Sequence, residues 1–351
     1  MCAIERCEPN GGSGGRSGHL TMSKGRRVVV TGAGGFIGHH LVTYLKRRGH
    51  WVRGVDIKYP EYEPTAADEF ELLDLRRWAN CLQAARGVDE CYNLAANMGG
   101  IGFITSFKAA VMHDNVLINV HMLEAARVHG VGKFLFTSSA CVYPGYRQQT
   151  PDVRPLREED AYPADPEDGY GWEKLFSERQ CAHYAEEYGM STYAVRFHNI
   201  YGPLGTYDGG REKSPAAICR KIALAEREDT IEVWGDGQQT RSYCYIDDCV
   251  EGVYRLMQSD YHQPLNLGSD RMVTVNDLVD IVAGIAGKRI GKRYDLSRPQ
   301  GVRGRNSDNT LLRRVLGWEP QVSLEEGLEI TYRWISEQLL RSGRLKKEVV
   351  R

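Results

Sequence analysis

One stretch near the start of the chain constrains the fold more than any other. "RRVVVTGAGGFIGHHLVTYLKRRGHWVRGVD" begins at Arg26 with a β-branched run, passes through closely spaced glycines, continues with the apolar periodicity of a helix and ends in a second apolar run at Asp56. This order predicts a strand, a glycine turn, a helix and a second strand. Similar alternation continues to Pro203, through "VDECYNLAA", "NVLINVHMLEAARVHG", "GKFLFTSS", "GWEKLFSERQCAHYAEEYG" and "STYAVRFHNIYGP".

Strands that alternate with helices predict an α/β fold built on a Rossmann-type doubly wound parallel sheet. We assign the cofactor-binding domain to residues 25–203. Residues 204–340 are looser and richer in glycine, which predicts a smaller C-terminal α/β lobe that mainly binds substrate, with segments near 236–260 returning to the first domain. The Gly- and Ser-rich residues 1–24 predict a disordered tail, and residues 341–351 a basic tail.

Composition narrows the class of partner. Lys plus Arg number 45 and Asp plus Glu 46, so net charge predicts neither a nucleic-acid nor a membrane partner. No window approaches the roughly 20 apolar residues of a membrane helix. The nine cysteines include no CxxC pair, which argues against a disulfide framework or a zinc site and favours a reducing cytoplasm.

The glycine turn predicts a dinucleotide site. Gly32, Gly35 and Gly38 recur every three residues between a strand and a helix, a spacing that lets the backbone approach a pyrophosphate at the helix N-terminus. Asp56 follows Gly38 by 18 residues, where a carboxylate can bind the ribose hydroxyls and would repel a 2′-phosphate. The predicted cofactor is therefore NAD. We also place three further residues at this site: Phe36, Ile37 and Asp74, the last being a possible adenine contact or a helix N-cap.

A set of polar residues predicts redox chemistry beside that site. "YGWEK" places Tyr170 and Lys174 four residues apart, on one face of a helix. A tyrosine ordinarily titrates at about pH 10, and a nearby ammonium together with the nicotinamide charge would stabilise its phenolate as a base. Ser139, at the end of the strand "KFLFTSS", completes a Ser, Tyr, Lys set.

The order of motifs resembles one enzyme family. The glycine turn, "NLAAN", "SSACVYP", "YGWEK", "RFHNIYGP", "WGDGQQTRSYCYIDD" and "NLGS" occur as in the extended short-chain dehydrogenase/reductases that act on nucleotide sugars, over roughly residues 26–335. The resemblance implies that Ser139 and Tyr170 bind and deprotonate the sugar C4 hydroxyl while NAD accepts the C4 hydride. It also implies a homodimer formed through helices of the cofactor domain.

A cysteine decides which reaction follows. Where family members that dehydrate the sugar carry Asp and Glu, this chain has Ala140 and Cys141. A thiol ordinarily titrates near pH ~8.5 and can remove a proton made acidic by a neighbouring ketone. "NMGGIGFI", "GGREKSPAAICRK" and "GVRGRNSDN" resemble the GDP-sugar epimerases of the family, whose cysteine and "REK" lysine form the acid/base pair. That pair carries over to Cys141 and Lys213.

The same resemblance implies a set of substrate contacts. Arg303 is an alternative to Arg305, and solvated surface roles remain open for Lys221 and Glu212. The implied contacts are Gly99, Ser139, Ala140, Cys141, Asn199, Glu212, Lys213, Ser214, Lys221, Gln239, Thr240, Arg241 and Arg305.

The resulting expectation is an NAD-dependent epimerase that converts GDP-α-D-mannose to GDP-β-L-galactose by inverting C3 and C5 through a transient 4-ketone, with no net redox change. Three alternatives stay open. Inversion at C5 alone would give GDP-L-gulose, and a GDP-fucose-synthase-like enzyme would epimerise and then reduce with NADPH. A protein that only senses NAD would keep the fold without the chemistry. Simple C4 inversion of a UDP-sugar is less favoured because it needs no acid/base thiol.

Overall fold

The computed structural model describes residues 25–345. The expected N-terminal tail, the last six residues, Cys2 and Cys7 lie outside this range. The strands are β1 (Arg27–Thr31), β2 (Trp51–Asp56), β3 (Glu69–Leu72), β4 (Glu90–Asn93), β5 (Lys133–Ser139), β6 (Ser191–Phe197), β7 (Ile200–Tyr201), β8 (Thr230–Trp234), β9 (Thr240–Ser242), β10 (Cys244–Tyr245), β11 (Leu265–Leu267), β12 (Met272–Thr274), β13 (Gly291–Asp295) and β14 (Gly304–Arg305).

Helices connect these strands. They are α1 (Phe36–Arg47), α2 (Trp78–Ala85), α3 (Ile101–Ser106), α4 (Lys108–Val128), α5 (Asp168–Tyr188), α6 (Ser214–Leu224), α7 (Ile246–Gln258), α8 (Val275–Ile285), α9 (Thr310–Leu316) and α10 (Leu324–Arg341). Short 3-10 helices cover Ala140–Val142, Gly145–Arg147 and Glu158–Ala161.

The predicted doubly wound parallel sheet is confirmed. Seven strands pair in the order β11-β6-β5-β4-β1-β2-β3, and every neighbouring pair is parallel. The chain winds from β1 toward β3 on one side and from β4 toward β11 on the other, so the winding direction reverses between β1 and β4. Ligands of such sheets bind in the crevice beyond the carboxyl ends of the strands at this reversal.

The sheet is buried on both faces. Val28, Val29 and Val30 of β1 are fully buried, and they alternate between two apolar clusters that lie on opposite faces of the sheet. A parallel sheet covered by helices on both sides needs such a continuous β-branched run.

The second lobe carries small sheets of its own. Strands β8 and β13 pair in parallel, and β9 lies between β12 and β14. Between β10 and β12 the chain returns to the first domain, because α7 packs on α1 and β11 joins the edge of the large sheet beside β6. Within residues 25–345, no helix combines the length and apolar character needed to span a bilayer.

Candidate active site

The glycine turn forms a tight cradle at the carboxyl end of β1. A Cβ at Gly38 would lie 2.1 Å from the carbonyl oxygen of Gly32, so the first turn of α1 sits directly on the backbone of the turn. The first turn of α1 contains no acidic residue, so its exposed N–H groups and positive dipole end remain available to a phosphate.

Asp56 closes this cradle from the neighbouring strand. Its carboxylate accepts hydrogen bonds from the backbone N–H groups of Gly34 (2.9 Å), Ile57 (2.6 Å) and Lys58 (3.2 Å). Burial raises the pKa of this carboxyl, and the three N–H groups oppose that effect. Asp56 therefore holds the shape of the glycine turn and also lines the cavity edge where a ribose would bind.

Asp74 lies on the same cavity wall but does not cap a helix. The N-cap residue of α2 is Arg77, whereas the Asp74 carboxylate accepts from the Arg76 backbone (3.0 Å) and guanidinium (2.9 Å). These bonds from Arg76 lower the pKa of Asp74. Of the two sequence interpretations, the position fits a cofactor contact better than an N-cap.

One cavity of ≈ 1060 Å³ extends from the glycine turn to the second lobe. Its lining includes the glycine turn, Ser139 and Tyr170 of the first domain, and Arg241 of the second lobe. The residues present fit a dinucleotide at the turn with a second extended ligand beyond it. All but one of the predicted site residues line it: Gly32, Gly35, Phe36, Ile37, Gly38, Asp56, Asp74, Gly99, Ser139, Ala140, Cys141, Tyr170, Lys174, Asn199, Glu212, Lys213, Ser214, Lys221, Gln239, Arg241 and Arg305.

Thr240 is the exception, and its prediction as a substrate contact is wrong. It alternates with its neighbours in β9, so its side chain points to the opposite face from theirs. Its hydroxyl donates to the carbonyl of Pro151, and the residue is buried away from the cavity. The alternation also places Gln239 and Arg241 together on the cavity side.

Ser139 and Tyr170 lie within hydrogen-bond reach of each other in the cavity. Ser139 ends β5, and its hydroxyl accepts from the Cys141 backbone N–H at 3.2 Å, which caps the short 3-10 helix that follows. Tyr170, in the first turn of α5, is buried (6 % exposed). Burial raises the pKa of Tyr170 well above its ordinary value, while the hydrogen bond with Ser139 lowers it. An added positive charge is thus required for a phenolate at neutral pH.

Lys174 supplies positive charge one helical turn further on. Its ammonium lies 5.5 Å from the centre of the Tyr170 ring and 3.6 Å from the Glu173 carboxylate. Glu173 is fully buried and accepts from the side-chain amides of Asn115 (2.9 Å) and Asn119 (3.2 Å) on α4. Sequence reasoning missed this buried carboxylate, because a single glutamate in a helical segment ordinarily faces solvent.

The thiol and the lysine of the predicted acid/base pair face the same cavity from different lobes. Cys141 is partly exposed, and a guanidinium N–H of Arg305 lies 3.4 Å from its sulfur. Lys213 immediately precedes α6. Burial lowers the pKa of Lys213, and the nearby Cys141 opposes that effect. A lysine with a lowered pKa exchanges protons more readily near neutral pH.

A glycine that the sequence did not single out allows this arrangement. A Cβ at Gly171 would lie 2.3 Å from the carbonyl oxygen of Cys141. The helix that carries Tyr170 can therefore lie directly against the loop that carries the thiol only because residue 171 has no side chain.

Two charged residues of the second lobe that were expected to contact substrate already have partners within the protein. Glu212 accepts from the Arg220 guanidinium at 3.1 Å, and the Lys221 ammonium donates to the Glu232 carbonyl at 2.7 Å. Both line the cavity rather than the outer surface. Arg303 forms a two-pronged ion pair with Asp236 (3.0 Å), which leaves Arg305 as the arginine of that segment that lines the cavity.

Replacing Gly38 by alanine is expected to weaken NAD binding by about 100-fold or more, because the turn must open to accept a Cβ and the cradle then no longer fits a pyrophosphate. Isothermal titration calorimetry with NAD measures this directly. Gly284→Ala on α8 is a control, since Gly284 is also a helical glycine, lies outside the cavity and has nothing within 4 Å of a Cβ. Unchanged NAD affinity in folded Gly38→Ala would contradict the proposal that this glycine turn binds the pyrophosphate.

Known proteins are similar to this chain in sequence. The model of the NAD dependent epimerase/dehydratase family matches residues 28–268. The GDP-mannose 3,5-epimerase of Arabidopsis thaliana is 49% identical over 319 residues, 90% of this chain and 84% of the relative. GDP-mannose 3,5-epimerase 1 of Oryza sativa subsp. japonica is 49% identical over 315 residues, 89% and 82% of the two chains.

A solved structure shows the same fold. UDP-glucose 4-epimerase from Thermotoga maritima, with UDP-glucose, superimposes with a TM-score of 0.81 at 28% identity and covers 89% of this chain and 99% of its own. The glycine cradle, the Ser139–Tyr170–Lys174 set, the family match and these relatives agree, and this protein belongs to the NAD-dependent epimerase/dehydratase family.

Proposed function

We propose that this protein is a GDP-mannose 3,5-epimerase, which converts GDP-α-D-mannose to GDP-β-L-galactose by inverting C3 and C5. One observation carries the proposal. Cys141 and Lys213 line the same cavity as Ser139 and Tyr170, so two proton-exchanging groups from different lobes lie beside the residues that act on C4. The 49% identity to plant enzymes of that name supports the choice of substrate.

The chemistry needs a temporary ketone. Bound NAD supplies a hydride acceptor and donor for C4. Tyr170 takes the proton of the C4 hydroxyl, and Ser139 holds that hydroxyl by a hydrogen bond. A ketone at C4 acidifies the hydrogens on C3 and C5, so Cys141 and Lys213 can remove a proton and return one from the opposite face. Because the same cofactor would both accept and donate the hydride, the reaction would leave no net redox change.

Buried cations support an anionic substrate. Arg241 and Arg305 lie close together in the cavity, and burial, with the Arg305 charge, lowers the pKa of Arg241 to about 10. Two guanidinium groups held together away from water are stabilised by a bound anion. A nucleotide diphosphate supplies two negative charges with geometry that suits bidentate arginine contacts.

The reaction is tested by incubating NAD-loaded protein with GDP-mannose in D₂O and following the sugar ring by NMR. We expect deuterium at C3 and C5 and signals of GDP-β-L-galactose without consumption of added NAD. A product that is GDP-L-gulose alone would restrict the activity to C5. Stoichiometric use of NADPH with a 4-keto-6-deoxy sugar would replace the proposal with a synthase-like reaction, and no turnover would favour an NAD-sensing protein.

We also propose that the protein is a homodimer that pairs through α4 and α5. These helices pack on each other. The two helices and the N-cap residue of α4 carry large apolar side chains that face solvent in the monomer, each between 41% and 54% exposed: Phe107, Met112, Val128, Trp172, Phe176 and Tyr188. Exposed apolar residues of this size, clustered on adjacent helices, are typical of an interface.

Phe176→Glu is expected to convert the dimer to a monomer, because the mutation puts a carboxylate in an apolar interface. Size-exclusion chromatography with light scattering measures the mass. Ile330→Glu on α10 is a matched control with a similarly exposed side chain (42%). A wild-type monomer, or a Phe176→Glu dimer of unchanged affinity, would contradict the interface.

A reducing, cytoplasmic location is proposed for the same protein. Seven cysteines within residues 25–345 are unpaired, and the proposed catalytic thiol must stay reduced to exchange protons. Labelling of Cys141 in intact cells with a membrane-permeant thiol reagent would test its redox state there.

A further inference from the structure

A buried glutamine links the two segments that meet at Cys141. Gln148 is 1% exposed. Its side-chain amide donates to the carbonyls of Tyr143 (3.0 Å) and Pro144 (3.3 Å), in the loop that follows Cys141. Its side-chain carbonyl accepts from Nε of Arg305 at 2.6 Å. The backbone carbonyl of Gln148 also accepts from the N–H groups of Arg303 (3.0 Å) and Gly304 (3.3 Å), so the backbone joins the thiol loop to β14 and the side chain adds the contact with the Arg305 guanidinium.

This contact decides where the Arg305 guanidinium points. The guanidinium is planar, with five N–H donors in a fixed fork. When Gln148 holds Nε, the two terminal nitrogens of Arg305 face Cys141 (3.4 Å) and the Glu167 carboxylate (3.2 Å). Arg305 is 6% exposed, so little water competes for these bonds.

We propose that Gln148 is a positioning residue that holds the Arg305 guanidinium against the Cys141 thiol and so sets the ionised fraction of that thiol. The inference rests on the proposed function, in which Cys141 exchanges a proton with the sugar. An adjacent cation favours a thiolate. Glu167 acts in the opposite direction, because it shares the same guanidinium and neutralises part of its charge. The titratable and charged groups around the thiol are Glu167, Tyr170, Lys213, Arg241 and Arg305.

The rate of alkylation measures the thiolate directly and needs no turnover. NAD-loaded protein is treated with iodoacetamide between pH 5 and pH 10, and the peptide that contains Cys141 is quantified by mass spectrometry, which separates it from every other cysteine. We expect Gln148→Met to move the midpoint of this profile up by about 0.5 to 1 pH unit and Arg305→Met by about 1 unit or more. Glu167 is less buried than Arg305, and glutamine has nearly the same shape as glutamate. Glu167→Gln should therefore move the midpoint down, because it removes the negative charge that partly neutralises the guanidinium.

A double variant tests whether Gln148 acts through Arg305. The profile of Gln148→Met/Arg305→Met should match that of Arg305→Met alone, because the glutamine has nothing left to position. Asn309→Ala is the structural control: Asn309 is also buried and donates to the Gly268 carbonyl at 2.8 Å. It should lower Tm without moving the profile.

Two results would overturn the inference: a Gln148→Met profile that matches wild type, or a shift that adds fully to that of Arg305→Met. An upward shift in Glu167→Gln would also contradict it. These outcomes are independent of the proposed function, which fails instead if Cys141→Ala retains deuterium exchange.

Discussion

Cys141→Ala is expected to abolish the incorporation of solvent deuterium into the sugar ring, a loss of about 10³-fold or more, while NAD stays bound. Alanine has no group that can exchange a proton, and the thiol lines the cavity beside Ser139 and Tyr170. Cys141 is not part of the glycine cradle, so cofactor affinity should not change. NMR of the sugar after incubation in D₂O gives the exchange, and calorimetry gives the NAD affinity.

Two further variants separate proton chemistry from packing. Cys141→Ser keeps the size and hydrogen-bonding capacity of the side chain, but a hydroxyl is a far weaker acid than a thiol, so it should remain inactive. Cys181→Ala removes a buried thiol of α5 outside the cavity and should retain exchange, with a somewhat lower Tm from the lost packing. Normal exchange in Cys141→Ala would remove this residue from the mechanism.

Lys213→Ala is expected to lower the rate of inversion by about 10²- to 10⁴-fold, while some deuterium exchange by the thiol persists. The reason is that one face of the ring keeps its proton acceptor and the other loses its donor. Lys213→Arg is the sharper variant, because arginine keeps the positive charge and loses its proton only above about pH 12. Binding of GDP-mannose should survive in Lys213→Arg and inversion should not. Inversion at the wild-type rate would show that Lys213 serves only as a charge.

The lowered pKa of Lys213 also predicts a pH dependence. If its ammonium returns the proton, activity should fall as pH rises through the Lys213 pKa, and that limb should lie below the value of an ordinary lysine. The stability of the fold should change with pH in the opposite direction to the activity. The unfolded chain binds this proton more tightly than the folded chain, so folding becomes more favourable as pH rises through the folded pKa toward the unfolded one.

Lys213→Met should therefore be inactive and slightly more stable at neutral pH, with Tm raised by about 1 to 2 °C. Differential scanning calorimetry measures the change. A lower Tm would mean that the ammonium contributes favourable contacts in the fold that exceed the cost of its burial.

The family and most of the cavity lining were predictable because the signals are local. A parallel strand, a turn and a helix need particular residues at short spacing, and Gly32, Gly35 and Gly38 satisfy that need within seven positions. The carboxyl ends of β1, β4 and β5 meet at one edge of the sheet by topology alone. Residues such as Ser139 at those ends are therefore brought to one crevice once the strand order is known.

Thr240 shows where this reasoning failed. It belongs to a run whose neighbours both line the cavity, and the run alone does not say which side chains face the ligand. Strand β9 is only three residues long, too short for a hydrophobic alternation to be read from the sequence. Its pairing with β14 places the hydroxyl on Pro151 instead.

The sequence by itself determined the chain's fold class and its NAD cradle, because each depends on residues close together in the chain. Its resemblance to the GDP-sugar epimerases indicated which thiol and lysine are expected to exchange protons. Only the tertiary structure decided that Arg305 contacts Cys141, that Gln148 and Glu167 hold it there, and that Gly171 lets α5 approach the thiol. These contacts join segments more than a hundred residues apart, or depend on one absent side chain. They follow from how two lobes pack around a buried charge, which no local pattern of residues records.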